Sequence, residues 1–360
     1  MDKLLKAREI INETDKEIAA LFEKRMEAVK SVAEYKKERG LPIFDSSREE
    51  AVIKNNISYI ENEEVKEFYV PFIRGTMDIS KKYQHRILEG LNVAYSGVEG
   101  AFAHIAAGRI FPDGNRISYP DFKAAYEAVE KGECDCAVIP IENSRAGEVG
   151  QTIDLLFQGS LYVNGVYSLD VRHNLIGLPG AKQGDIKEVI SHQQALDQCA
   201  HFIRNQGYKS KACENTARAA KYVADTGDIS LAAIASRETA ELYGLSVIRE
   251  NINEASNNTT RFAVLSRTLC KEKRDHSIIV FTVPDKPGAL AHAINVIGHH
   301  GYSMKSIKSR AMKDLMWTYY FYVELTGDLQ SKRGMYMLDE LSETCDNLKM
   351  VGTYKDNSKI

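Results

Sequence analysis

Over the first 88 residues the apolar positions recur at helical spacing. Leu4, Ile11, Ile18, Phe22, Val29 and Val32 follow one another at steps of three to seven residues, as on one face of an amphipathic helix. The spacing predicts one long helix, ended by the breaker run "ERGLP". A second helix is expected after "FDSS" and a third after Pro71. Three helices of such unequal length bury little against themselves. An intertwined dimer is therefore expected to supply the missing burial.

From Leu91 the pattern changes to short apolar runs separated by amphipathic stretches. "LNVAYSG", "CAVIPIENS", "EVISH" and "LAAIAS" read as strands. "DFKAAYEAVEKG" (with Asp121 as N-cap), "QALDQCAHFIRNQG", "TARAAKYVAD" and "RETAELYG" read as helices. Alternation of this kind predicts an α/β sheet that takes ligands at the C-terminal ends of its strands. The segment is long for a single sheet, so two lobes with a cleft between them are expected. "NNTTRFAVL", residues 257 to 265, sets a polar cluster against a buried strand. The strand is expected to close the sheet as the chain returns from the second lobe. The charged run 270–276, "CKEKRDH", reads as a linker, and the remainder reads β-α-β-β-α-β, a ferredoxin-like pattern. The expected domains are 1–88, 91–268 and 277–355.

Composition narrows the class. A net charge of −3 over 360 residues gives no basic footprint for nucleic acid or membrane. Neither a secretory h-region nor a membrane-length apolar run is found, so a cytoplasmic chain is expected. Of six cysteines, only Cys134 and Cys136 are close, without a second pair to complete a metal site. No phosphate-cradling glycine motif occurs. Neither metal nor organic cofactor is expected.

In the helical segment Arg25 and Lys36 are eleven residues apart and fall within roughly 20° of one helix face. Arg8 is about 100° off that line and about 25 Å away along the axis. One rigid helix cannot bring Arg8 and Arg25 to the same small ligand, so Arg8 would have to act from a second chain. Glu49 could close a capping box with Ser46. The segments "LLKAREIINETDKEIAALFEKR", "YKKERGLPIFDSSRE" and "DISKKYQ" resemble the all-helical chorismate mutase family. The resemblance implies that Arg8 and Arg25 grip carboxylates with Arg48 nearby. It implies that Lys36 and Gln84 hold the ether oxygen and Glu49 the ring hydroxyl, with Asp45 and Ser80 completing the set. A Claisen rearrangement suits such a site. It needs a compact conformer and positive donors where charge builds on oxygen, not an acid or nucleophile.

The middle segment resembles prephenate dehydratase through "PIENSRAGEV", "SHQQALDQC", "ENTARAA" and "NNTTRF". The fold implied is two-lobed α/β, like the lobes of periplasmic binding proteins. Thr260 is implied as the donor to the departing hydroxyl. A threonine is a poor acid, so it needs a polarising network. Arg261, Asn258 and the Glu142-Asn143-Ser144 loop are candidates. Ser191, His192, Gln194 and Glu214 are expected from the other lobe, with Phe262 beside the site. Simpler alternatives stay open: His192 as a core histidine, Asn143 as a turn former, Thr259 as a strand former. Ala101 and Ala103 stand where the family carries hydroxyls, and Gln193 stands where Pro is usual.

The last segment resembles the ACT domain appended to these dehydratases, through "DKPGALAHAINVIGHHG". Gly288, Ala289, Leu290, Ser309 and Arg310 are implied as a phenylalanine site across a dimer. The family's Glu-Ser-Arg-Pro reads here Lys308-Ser309-Arg310-Ala311. Taken together, the three resemblances imply a two-activity enzyme of phenylalanine biosynthesis. It would convert chorismate to prephenate and prephenate to phenylpyruvate, as a homodimer or homotetramer. Arogenate as substrate, and a non-catalytic ligand sensor, are the rival readings.

Overall fold

The computed structural model describes residues 3–254, 257–312, 319–355 and 358–360. The chain divides into two compact units, Met1–Leu91 and Asn92–Ile360. The first is helical: α1 (Lys3–Arg39), α2 (Ser46–Ile57) and α3 (Glu63–Glu89). Asp45 caps α2, its carboxylate accepting from the Arg48 backbone N–H at 3.0 Å. Ser46 is thus the first residue inside the helix, and the capping box suggested for it does not start α2. The third helix begins eight residues before Pro71, which lies inside it. That corrects the expected start. The Asn62 side chain accepts from Glu64 N–H, and Glu63 and Glu64 complement the dipole of the first turn. This nucleation outweighs the one hydrogen bond that the exposed Pro71 removes.

Helix α1 has a single fully buried side chain, Ala33. Its apolar positions face outward instead: Ile10 and Leu21 are each 65% exposed, and Phe68 of α3 is 68% exposed.

The second unit contains two sheets. In chain order its elements are β1 (Asn92–Ser96), α4 (Phe102–Ile110), β2 (Asn115–Tyr119), α5 (Phe122–Glu130), β3 (Cys136–Asn143), β4 (Gly147–Glu148), α6 (Gly150–Gln158) and β5 (Tyr162–Asp170). The second lobe follows as β6 (Asn174–Gly177), β7 (Glu188–His192), α7 (Gln193–Gln198), α8 (Ala200–Gln206), β8 (Lys209–Cys213), α9 (Thr216–Thr226), β9 (Leu231–Ala235), α10 (Arg237–Leu242) and β10 (Ser246–Arg249). The chain then returns as β11 (Thr259–Ser266). It continues through β12 (His276–Thr282), α11 (Ala289–His299), β13 (Ser303–Ala311), β14 (Tyr319–Thr326), α12 (Lys332–Ser342), β15 (Asp346–Tyr354) and β16 (Ser358–Lys359). The single helix expected over 194–207 is two, with Cys199 between them.

The second-lobe strands run β10-β6-β9-β7-β8. The larger sheet runs β13-β14-β12-β15-β5-β11-β3-β1-β2, with β16 beside β5 and β4 beside β3. The four strands β13-β14-β12-β15 at one end of it are the ferredoxin-like module. It joins the first lobe through the Gly352–Val163 pair. A Cβ on Gly352 would collide with the Val163 backbone, so this splice requires glycine. One core spans the join: Ile139, Ile141 and Val163 pack with Ile278, Val280 and Tyr322. The run expected as a linker therefore leads directly into a shared sheet, with His276 already in β12. Strand β11 sits between β3 and β5, antiparallel to both. It completes the sheet from the middle and not from an edge.

Candidate functional site

In the helical unit two of the predicted polar residues, Arg25 and Ser80, meet between α1 and α3. The Arg25 guanidinium donates to Ser80 Oγ, and to Thr76 O at 3.4 Å. Burial lowers the Arg25 pKa, and among the described residues it has no carboxylate partner. A half-buried cation with neutral neighbours is ready for an anion. Gln84 is buried, and its Oε1 has no hydrogen-bond partner among the described residues. Lys36 Nζ donates to Ile43 O at 2.6 Å, and Glu49 pairs with Lys81 at 2.9 Å. Asp45 is spent on its cap, and Arg48 is exposed. Arg8 is exposed on α1, about 25 Å along the axis from Arg25.

In the larger unit the chain crosses between the lobes twice, after β5 and before β11. Beside these crossings lies a cavity of about 400 Å³. Its lining includes Asn143, Glu148, His173, His192, Gln194 and Thr260. Thr260 and Asn143 face each other in register across β11 and β3. Pro140 cannot donate to the ladder, and the pairing slips between Arg261 and Phe262 beside it.

The Asn143 amide has one possible orientation. Its Oδ1 accepts from the backbone N–H groups of Arg145 and Ala146, at 3.0 and 2.9 Å. Its Nδ2 therefore donates, to Thr260 Oγ1 and to Asn258 Oδ1, both at 2.9 Å. Asn143 shapes its turn and serves the site at once. Because Thr260 Oγ1 accepts from Asn143, the Thr260 hydroxyl hydrogen is directed elsewhere. Among the described residues it has no acceptor. Asn258, 2% exposed, donates in turn to Gln198 Oε1 at 2.9 Å, and His173 Nε2 bonds the same oxygen at 3.0 Å. Burial lowers the His173 pKa below its ordinary 6.5 against the opposing bond to Gln198. The neutral ring donates from Nε2. Its Nδ1 has no partner among the described residues. Sequence reasoning passed over His173 and Gln198. Gln198 lay inside a recognised motif, whereas His173 carried no signal.

Of the other predicted residues, His192 and Gln194 share the cavity lining and the rest take different places. Ser191 Oγ donates to Ile234 O at 2.6 Å inside the second lobe. His192 is exposed at the head of α7, where its ring accepts from Gln194 N–H. Glu214 pairs with Arg218 at 2.6 Å on the surface. Phe262 is core. Ser144 Oγ donates to Asn257 O and accepts from Thr259 N–H, tying the two loops together. Thr259 Oγ1 donates to Asp170 at 3.1 Å.

Glu142 and Arg261 do not line the cavity. Strand alternation turns them to the opposite face. There Arg261 bonds Glu142 at 2.9 Å and grips Glu324 with two nitrogens, at 3.1 and 3.0 Å. Glu324 is 1% exposed and also accepts from the hydroxyls of Tyr322 and Tyr354. Burial works against the Arg261 charge, but Glu324 and Glu142 raise its pKa regardless.

Gly288, with φ 84, caps α11 from the left-handed region. With Ala289 and Leu290 it lines a separate cavity of about 740 Å³ that also includes Lys286, Met312 and Phe321. Ser309 is exposed, and Arg310 turns toward the first lobe, to Asp154 and Glu148. The five residues implied for an effector are therefore divided. Among the described residues no group of acidic, histidine or cysteine side chains is placed to hold a metal ion. None of their helices is long and apolar enough to cross a membrane.

Three family models match the chain: chorismate mutase type II over residues 7–85, prephenate dehydratase over 93–269 and the ACT domain over 276–334. The arogenate dehydratase/prephenate dehydratase 1 of Arabidopsis thaliana is 34% identical, over 73% of this chain and 72% of that protein. The bifunctional chorismate mutase/prephenate dehydratase of Neisseria gonorrhoeae is 29% identical, over 98% of this chain and 96% of that protein. Among solved structures, the prephenate dehydratase of Arthrobacter aurescens in complex with L-Phe matches with a TM-score of 0.68 at 26% identity, over 74% of this chain and 90% of that one. GqqA, described as a novel type of quorum quenching acylase, matches with a TM-score of 0.68 at 29% identity, over 73% of this chain and 97% of that one.

Proposed function

Since the chain belongs to the chorismate mutase/prephenate dehydratase family that carries an ACT domain, we propose that it performs both reactions in turn. The helical unit rearranges chorismate to prephenate. The cleft of the larger unit expels water and carbon dioxide from prephenate to give phenylpyruvate. Such a chain works in phenylalanine biosynthesis, with feedback by phenylalanine at the ACT module. The cytoplasm is its place, a reducing compartment in which cysteines stay as thiols.

The observation that carries the dehydratase reading is the locked Asn143 amide. Loss of hydroxide needs a donor aimed at the departing oxygen. Asn143 occupies the Thr260 oxygen as acceptor, so the hydroxyl hydrogen is available for that oxygen. As negative charge builds on the leaving group, the amide bond holds the Thr260 dipole in place. It supplies orientation, and no ionised acid is required. For the rearrangement, Arg25 supplies a cation for a carboxylate. Lys36 and the Gln84 amide, turned end for end, supply donors for the ether oxygen.

Arg8 completes the site from a second copy of the chain, whose α1 would cover the exposed Ile10 and Leu21. Purified protein is expected to convert chorismate to phenylpyruvate, with prephenate and arogenate compared as direct substrates of the second step. Failure to consume chorismate contradicts the mutase assignment. Accumulation of prephenate contradicts the dehydratase assignment.

A further inference from the structure

The β3–β4 hairpin that carries Asn143 contains an electrostatic problem. Its two strands pair Glu142 directly opposite Glu148, and Asn143 opposite Gly147. Like charges placed directly across a ladder push the strands apart. The remedy comes from the ferredoxin-like module. Lys308 and Arg310 lie two residues apart on β13 and therefore share one face of it. Lys308 Nζ bonds Glu142 at 2.7 Å. Arg310 Nη1 bonds Glu148 at 2.7 Å.

Arg310 is itself anchored. It forks onto Asp154 of α6 at 2.8 and 3.3 Å, and Tyr320 donates to the same carboxylate at 2.6 Å. A Cβ on Gly150 would collide with the guanidinium, so the first turn of α6 is built around this contact. On the Glu142 side, Arg261 adds a second cation, held by the buried Glu324. Burial alone would raise the Glu142 pKa, yet Lys308 and Arg261 bring it below its ordinary value. Both legs of the hairpin are thus pinned from one strand.

We propose that β13 is a clasp on the dehydratase site, with Lys308 and Arg310 as positioning residues that hold the Glu142–Glu148 hairpin so that Asn143 meets Thr260. The clasp rests on the reading of the cavity as the dehydratase site. Neither cation lines that cavity. Their effect passes through the backbone between Glu142 and Glu148. The Asn143–Thr260 bond is 2.9 Å long. A hairpin that drifts by about 1 Å carries the amide beyond hydrogen-bond reach and loses on the order of 100-fold in rate.

The test uses the full chain with Lys308→Met, Arg310→Met, Lys308→Arg and the pair Lys308→Met/Glu142→Gln. Dehydratase kcat and KM, mutase rate and thermal midpoint are measured on each preparation. Both methionine variants should lose about tenfold or more in dehydratase kcat, with KM and mutase rate within about twofold of wild type. Lys308→Arg should stay near wild type. The Lys308→Met/Glu142→Gln pair should recover much of the loss, because the like-charge repulsion is gone. Unchanged kcat in folded methionine variants overturns the clasp. So does a double variant worse than Lys308→Met, which would make Glu142 a direct substrate contact. Should Arg310→Met not fold, the Lys308 variants decide alone. Should the wild-type chain lack dehydratase activity, the cavity reading falls instead. The clasp is then judged by amide exchange over 144–148, which must quicken in Lys308→Met if the clasp is real.

Discussion

At the residue scale the account turns on the direction of one amide. Asn143→Ala removes the donor that fixes the Thr260 hydroxyl. It should lower dehydratase kcat by about 100-fold with little change in KM. Thr260→Ser keeps the hydroxyl and should retain most of the rate. His173 gives a separate signature. Its folded pKa lies below the ordinary 6.5 because burial favours the neutral ring. The unfolded chain therefore takes up a proton first as pH falls. The stability this group contributes is complete above pH 6.5 and is lost as pH drops toward the folded value. His173→Gln should flatten the decline of thermal midpoint on the acid side of pH 6.5. An unaltered pH profile would show that the ring is not buried and neutral.

At the element scale the strands decide which motif residues act together. Thr260 and Asn143 were legible because both sit in recognisable strings. Glu142 and Arg261 were grouped with them as chain neighbours, and alternation sends them to the other face, where they meet Lys308 and Glu324. Nothing in the sequence announces that face, because its partners lie 166 and 63 residues away. The βαββαβ order was readable from periodicity. The splice of that module onto the first lobe was not, since it depends on one glycine in β15 meeting β5. Gly352→Ala forces a Cβ against the Val163 backbone. It should destabilise the larger unit by about 1–3 kcal/mol or more in chemical denaturation, and leave the mutase rate unchanged. The early start of α3 was missed for a related reason. In the sequence Pro71 reads as a boundary, whereas an Asn62 cap and two acidic residues begin the helix before it.

At the scale of the whole molecule the chain carries two chemistries on two compact units. The helical unit leaves Ile10, Leu21 and Phe68 outward and Arg8 far from Arg25, which a second copy would remedy. Arg8→Ala and Lys36→Ala are each expected to lack mutase activity. After equal amounts of the two are mixed and exchanged, about a quarter of the sites should recover, as random pairing of complementary chains requires. No recovery would confine each site to one chain. The most direct test of the central claim follows chorismate over time in wild type, Lys36→Ala and Thr260→Ala. Wild type should yield phenylpyruvate. Thr260→Ala should stop at prephenate, and Lys36→Ala should leave chorismate untouched yet still convert added prephenate. Loss of both activities from either single substitution would contradict two separable sites on one chain.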